Sequence, residues 1–131
     1  NADCHVILRG GKTPNYSAQD IDAACALLKA AGLREQVMVD VSHANSSKQH
    51  QRQIVVAQDV AQQVAGGDRR IIGLMVESHL QEGRQDIVPG TPLKTGVSVT
   101  DACISMAQTV PLLQGLAQAV RTRRASGVVQ P

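Results

Sequence analysis

The chain has 131 residues, with 13 Lys+Arg against 11 Asp+Glu and a net charge of +2, so it is neither a strongly basic nucleic-acid module nor an acidic tail. Phe and Trp are absent and Tyr occurs once, which removes the stacking platforms used on RNA or single-stranded DNA and leaves an aliphatic core of Val, Ile, Leu and Ala. No run approaches the roughly 20 apolar residues of a transmembrane helix, and Cys4, Cys25 and Cys103 form no C-x-x-C pair, so free thiols and a cytoplasmic, non-membrane protein are expected.

The first apolar run is Val6-Ile7-Leu8, closed by Arg9-Gly10-Gly11-Lys12. Ser17 and Asp20 form an S-x-x-D helix start, Ile21, Ala24, Cys25 and Leu28 make its apolar stripe, and Gly32 ends it. A second run, Val37–Val39 with Val41, is closed by Ser42-His43. Ser46 and Gln49 make another capping-box pattern, opening a helix with the stripe Ile54, Ala57, Ala61 and Val64 and an end at Gly66-Gly67. The third run, Ile71-Ile72 with Leu74–Val76, is closed by Glu77-Ser78-His79. Residues 79 to 100 then form an unusually long connection, of a length that is often functional. Thr109 is the expected N-cap of the last helix, with Pro111 in its first turn. Its stripe is Leu113, Leu116, Ala117 and Val120, and Arg121, Arg123 and Arg124 complement its C-terminal dipole. Val128–Pro131 reads as a frayed tail.

Short apolar runs alternating with amphipathic helices predict an α/β fold with parallel strands buried on both faces. An open doubly wound sheet and a (β/α)₈ barrel both satisfy that pattern. A barrel needs about 250 residues, so three βα units cannot close one.

In such folds the C-terminal strand ends face the site. That brings Arg9, His43 and Glu77 to one mouth, and the long connection can add Asp101. One imidazole and two carboxylates suit Mn²⁺, Fe²⁺ or Zn²⁺. Each residue also has a plainer reading. His43 could be a hydrogen-bonded loop residue, and Glu77 could meet a strong donor instead of a cation. Asp101 alone reads as a helix N-cap before Ala102-Cys103-Ile104. Arg9 beside paired glycines could grip a phosphate or carboxylate, or sit on the surface of a tight turn. Ser46-Ser47 could bind an anion or simply cap a helix. The P-loop, G-x-G-x-x-G and G-x-S-x-G patterns are absent.

The motifs taken together are more specific. They are D-C-H-V-I-L-R-G-G-K from Asp3, P-N-Y from Pro14, D-V-S-H-A-N-S-S-K-Q from Asp40, G-L-M-V-E-S-H-L from Gly73 and S-V-T-D-A-C-I from Ser98. In this order they resemble the C-terminal part of class I 3-deoxy-D-arabino-heptulosonate-7-phosphate (DAHP) synthases of the type regulated by aromatic amino acids. The resemblance extends to about Arg124. It implies a (β/α)₈ barrel that condenses phosphoenolpyruvate with erythrose 4-phosphate to DAHP and phosphate, the first step of the shikimate pathway. It implies a divalent metal (Mn²⁺, Fe²⁺, Zn²⁺ or Co²⁺) held by a Cys, a His, a Glu and an Asp. Carried onto this sequence, the metal ligands are His43, Glu77 and Asp101, with catalytic roles for His43 and Asp101 and phosphoenolpyruvate contacts from Arg9 and His43. None of the three cysteines stands in the motif that supplies the Cys ligand.

Residues 1–131 are thus expected to be the last three βα units of one barrel domain, a homo-oligomer in the parent enzyme and inactive or nearly so alone. The alternative is a non-catalytic α/β piece that self-associates or pairs with the missing part, through its unsatisfied strand edges.

Overall fold

The computed structural model describes residues 3–127. Its elements are β1 (Val6–Leu8), α1 (Ala18–Ala30), β2 (Val37–Asp40), α2 (Arg52–Ala65), β3 (Ile71–Met75), β4 (Ser78–His79), β5 (Ile104–Ser105) and α3 (Met106–Ala125). The three expected strands form one parallel sheet in the order β1-β2-β3. A register shift lies between Val37 and Met38 on the β2–β3 side.

The sheet and helices meet along one aliphatic layer. Leu8, Val37, Val39 and Ile71 pack against Ile21 and Cys25 of α1, Val60 and Val64 of α2, and Ala119 of α3. A second cluster nearer the strand ends joins Val41, Val56, Ala57, Ile104 and Leu112. Successive strand residues point to opposite faces, so Ile7, between Val6 and the buried Leu8, points away from the helices and stays half exposed.

Helix α1 starts and stops as its sequence dictates. Ser17 accepts from the Asp20 backbone N–H and the Asp20 carboxylate accepts from the Ser17 N–H, a complete capping box. At the other end Gly32 takes φ +69°, and the Leu33 N–H reaches the Leu28 carbonyl at 2.9 Å, closing a Schellman turn.

The other helix starts differ from expectation. Ser46-Gln49 does not cap α2, which begins at Arg52 with no side-chain cap. Ser46 Oγ donates instead to the His43 carbonyl, 3.2 Å away, because the intervening residues coil into a turn of their own. The α2 stripe does bury Ala57 and Val64, but Gln53, Val56 and Val60 are also buried. Helix α3 starts at Met106, earlier than expected, with Ser105 and Gln108 as its capping box. Thr109 lies inside it, donating to the Ser105 carbonyl at 2.8 Å. The buried α3 residues are Thr109, Leu112 and Ala119, whereas Leu113 is exposed. The inner face follows Leu112, Leu116, Ala119 and Val120, which pack against the core at helical spacing and leave Leu113 on the outer side. Asp101 caps no helix, since Ile104 and Ser105 that follow it are a strand.

That strand orders the long connection. β5 pairs in parallel with β4, and the Ile104 N–H donates to the Glu77 carbonyl at 3.0 Å. Gly83 and Cys103 exchange two backbone hydrogen bonds of 2.9 and 3.1 Å. The segment is thereby pinned at both ends, and Asp101 is returned beside the end of β3. The tail expected over 128–131 lies outside the described residues. Among the described residues no helix is long and apolar enough to cross a membrane.

Candidate metal and anion site

The site is built on the turn that leaves β2. Asp40 is fully buried at the strand's end. Its Oδ1 accepts the Ser42 backbone N–H (2.8 Å) and hydroxyl (2.7 Å). The chain then enters the left-handed region at His43, φ +49°, and again at Ser47 and Lys48. Such conformations are costly for residues with a Cβ and persist only where the surroundings enforce them. The enforcement here is local. Lys48 N–H donates to the His43 carbonyl at 2.8 Å, and Asn45 Nδ2 donates to the Asp40 carbonyl at 2.7 Å and the Leu8 carbonyl at 3.1 Å. Asn45 therefore ties the ends of β1 and β2 together.

Gly10 takes part in the same junction. Its φ is +76°, and a Cβ there would stand 2.8 Å from Ala44 Cβ and 2.9 Å from Asn45 N. Only glycine lets the β1 turn approach the β2 turn this closely.

Glu77 enters from β3 and is held by its backbone. The buried Gln53 side chain accepts the Glu77 N–H (2.8 Å) and donates to the Glu77 carbonyl (3.1 Å). The Glu77 carboxylate is thus aimed by main-chain clamping. Its Oε1 lies 3.5 Å from His43 Nε2, and Asp101 Oδ2 lies 3.9 Å from the same nitrogen. One ligand atom from each of His43, Glu77 and Asp101 falls within 4.8 Å of the others. Two ligands of one ion, each about 2.1 Å from it, stand at most about 4.2 Å apart, so the two distances from Nε2 fit a shared cation. Burial raises the Glu77 carboxyl above its ordinary value; His43 and a hydrogen bond from the Ser42 side chain oppose this, while Asp101 and Asp40 reinforce it. Carboxylates crowded this way call for a cation.

A cavity of about 400 Å³ opens over these groups, with Arg9, Gly10, Lys48 and His50 among its walls. Arg9 sits on the β1 side, its side chain 63% exposed and its Nε 3.8 Å from Asp40 Oδ2. Its guanidinium is available to an anion entering the cavity.

The sequence model of the family described as DAHP synthetase I matches residues 1–114. The chain belongs to that family. It is 57% identical over 124 residues to the Phe-sensitive phospho-2-dehydro-3-deoxyheptonate aldolase of Escherichia coli K12, which covers 95% of this chain and 35% of the relative. It is 51% identical over 129 residues to the tyrosine-inhibited phospho-2-dehydro-3-deoxyheptonate aldolase of Schizosaccharomyces pombe, at the same two coverages. The solved phospho-2-dehydro-3-deoxyheptonate aldolase of Francisella tularensis SCHU S4 superimposes with a TM-score of 0.90 at 46% identity, covering 95% of this chain and 36% of that one. The chain therefore spans about a third of the length of these DAHP synthetase relatives.

The four residues singled out from sequence all reach one cavity: Arg9, His43, Glu77 and Asp101. Among the described residues the metal-capable cluster contains no cysteine. Cys4 is exposed and Cys25 lies in the core. Cys103 is half buried, with its thiol 3.5 Å from the Asp101 carbonyl. Sequence reasoning passed over Asp40 and Gln53. Asp40 was visible as a carboxylate ending an apolar strand three residues before a histidine. Gln53 had no signal, because a polar residue in the first turn of a helix reads as solvent-facing.

Proposed function

We propose that this chain is the C-terminal part of a (β/α)₈ barrel whose parent is a DAHP synthase, condensing phosphoenolpyruvate with erythrose 4-phosphate to DAHP and inorganic phosphate. The convergence of His43, Glu77 and Asp101 at the ends of adjacent strands, with Arg9 across the same cavity, carries the reading. Those three side chains would hold a divalent metal, which when bound supplies Lewis-acid polarisation of a carbonyl oxygen. The donor set suits Mn²⁺, Fe²⁺, Zn²⁺ or Co²⁺.

The chain's own residues account for part of the rest. Arg9 offers paired N–H groups to the carboxylate or phosphate of phosphoenolpyruvate. His43, its side chain 22% exposed, lines the same cavity, where it also borders any bound anion. The buried Asp40 offsets the Arg9 charge without filling the cavity. Grips for two phosphates and a carboxylate exceed what Arg9 and Lys48 provide, so the missing cations and the fourth ligand belong to the upstream part of the parent.

A chimera tests this. The upstream part of the Escherichia coli Phe-sensitive relative is joined ahead of this chain, and DAHP formation is assayed with Mn²⁺. The chimera is expected to be active, His43→Ala to abolish activity, and the 131-residue chain alone to show little or none. A folded, Mn²⁺-binding chimera that makes no DAHP would overturn the reading.

One observation favours a second property of the isolated chain. Among the described residues β1 pairs only with β2, and Val6 and Ile7 on it are 41% and 47% exposed. An open apolar strand edge invites association. Light scattering is expected to show oligomers that dissociate on addition of the upstream part; a monodisperse monomer would exclude this.

A further inference from the structure

We propose that Asp40 is a positioning residue that fixes the ring tautomer of His43, so that Nε2 presents a bare lone pair to Glu77 and Asp101. This rests on the reading of His43 as a metal ligand for its purpose, but not for its geometry.

The argument is a count of hydrogens. His43 Nδ1 stands 2.7 Å from Asp40 Oδ2 and 2.7 Å from Ser42 Oγ. An ionised carboxylate has no hydrogen to give, so a contact that short needs the hydrogen on Nδ1. The Ser42 hydroxyl is directed to Asp40 Oδ1 at 2.7 Å, which leaves its oxygen free to accept and its hydrogen unavailable to the ring. Nδ1 therefore donates, and in the neutral ring Nε2 is bare. The groups facing Nε2 are acceptors: Glu77 Oε1 at 3.5 Å and Asp101 Oδ2 at 3.9 Å. Neither pair is within hydrogen-bonding distance. An Nε2–H tautomer would gain little there and would lose the short contact to Asp40.

The position of Asp40 suits this role. Its carboxylate is fully buried, so solvent cannot substitute for it. Oδ1 is occupied by two donors from Ser42, so only Oδ2 is left for the ring. The same Oδ2 lies 3.8 Å from Arg9 Nε. A single buried carboxylate thus borders both the metal-capable cluster and the anion-facing arginine. Carboxylates behind metal-bound imidazoles typically set metal affinity by 10–100-fold.

Asp40→Asn turns the count into a test. The two Ser42 donors still need an acceptor at the Oδ1 position, so the amide oxygen takes that place. The amide nitrogen then faces His43 Nδ1 and donates to it, which moves the ring hydrogen to Nε2. Long-range ¹⁵N correlation spectra of the imidazole, recorded on the metal-free chain at a pH of about 9 where imidazole is neutral, report the tautomer directly. The parent and Ser42→Ala are expected to be Nδ1-protonated, and Asp40→Asn to be Nε2-protonated with Mn²⁺ affinity about 10–100-fold lower. An Nε2-protonated parent would overturn the proposal. So would inversion in Ser42→Ala, which would make the hydroxyl the determinant. If Asp40→Asn does not fold, the parent and Ser42→Ala spectra decide. The Mn²⁺ titration of the parent decides the metal reading separately: no binding with an Nδ1-protonated ring sinks that reading and supports the tautomer assignment.

Discussion

The two ends of the sheet carry similar numbers of charges and use them in opposite ways. At the N-terminal end Asp68 and Arg70 flank the start of β3. Asp68 Oδ1 accepts from the Arg70 backbone N–H at 2.8 Å and Nε at 3.1 Å, and Oδ2 accepts from Nη2 at 2.7 Å. Arg70 Nη2 also donates to Asp22 of α1 at 2.7 Å, and Arg123 of α3 donates to the Asp68 carbonyl at 2.8 Å. Each of these carboxylates meets donors. At the C-terminal end Glu77 and Asp101 face the bare side of an imidazole. The titration directions follow. Burial pushes the Asp68 carboxyl up, but hydrogen bonds from the Arg70 side chain and backbone outweigh it and hold Asp68 below its ordinary value. For Glu77 burial comes first and the neighbouring Asp101 and Asp40 add to it; His43 and a hydrogen bond from the Ser42 side chain oppose them without prevailing, so it stays above its ordinary value. A cluster whose carboxylates are met by cationic donors stabilises the fold, whereas one of crowded carboxylates is held in place by the fold and is a candidate functional site.

Substitutions should separate the two ends cleanly. The largest expected effect is at the ligand end. His43→Ala should lower Mn²⁺ affinity by about 100-fold, the upper range seen for outer-sphere partners, and should also lower the urea midpoint, because it takes the ring partner from the buried Asp40 Oδ2. Isothermal titration and urea unfolding of the same preparations check this. A variant that loses stability but keeps Mn²⁺ affinity would show that the two ends are not functionally distinct.

The next effect belongs to the other end. Asp68→Asn should cost about 2 kcal/mol, since it weakens charge-assisted bonds to Arg70, with no change in Mn²⁺ affinity. Its pH dependence has a definite sign. Asp68 binds its proton less readily folded than unfolded, so its contribution is full above the unfolded value and is lost as pH falls through the lower folded value. The stability gap between parent and variant should therefore be constant near neutrality and close below about pH 4. A gap that widens on acidification would contradict the assignment.

The third effect tests how the ligand end is held. Gly10→Ala adds a Cβ 2.8 Å from Ala44 Cβ at φ +76°. About 1–2 kcal/mol of destabilisation is expected from the backbone and the clash. Mn²⁺ affinity should fall with it, because Asn45, against which Gly10 packs, anchors the His43 turn. Unchanged affinity at reduced stability would show the β1 and β2 turns to be independent.

Much of this was legible in the sequence, for reasons that differ by residue. The β1–β3 strands stood out because their runs are apolar on both faces, although only the face toward the helices is buried here and Ile7 and Ile72 are half exposed. The start of α1 was readable because Ser17 and Asp20 satisfy each other within four residues. The starts of α2 and α3 were not. The 42–50 turn uses Ser46 on the His43 carbonyl, a contact created by the left-handed His43. β5 has two residues and no alternation to detect, so Asp101 looked like a cap. The motifs pointed to His43, Glu77 and Asp101, which lie together, but their geometry rests on Gln53, whose partner Glu77 is distant in sequence, and on Asp40, whose partners Ser42 and His43 are local but meet it only through the turn they form.

The smallest expected effect is the most discriminating between the ends, because its sign is reversed. Glu77→Gln keeps the shape of the side chain and leaves the Gln53 clamp on the Glu77 backbone untouched, since that clamp uses only main-chain atoms. It removes a carboxylate whose charged form burial and two neighbouring carboxylates disfavour. It also gives His43 Nε2 an amide hydrogen to accept, replacing a contact between two acceptors. In the absence of metal the variant should therefore be more stable than the parent at neutral pH, by about 0.5–1 kcal/mol. In the presence of saturating Mn²⁺ the order should invert, because only the parent gains the stabilisation that follows from ligand binding to the folded state. Thermal melts with and without Mn²⁺ on the same two proteins read both signs. Asp68→Asn, by contrast, should be less stable than the parent in both conditions. If Glu77→Gln is destabilising without metal, the Ser42 hydrogen bond and the His43 ring outweigh burial, and Glu77 belongs with Asp68 as a structural group.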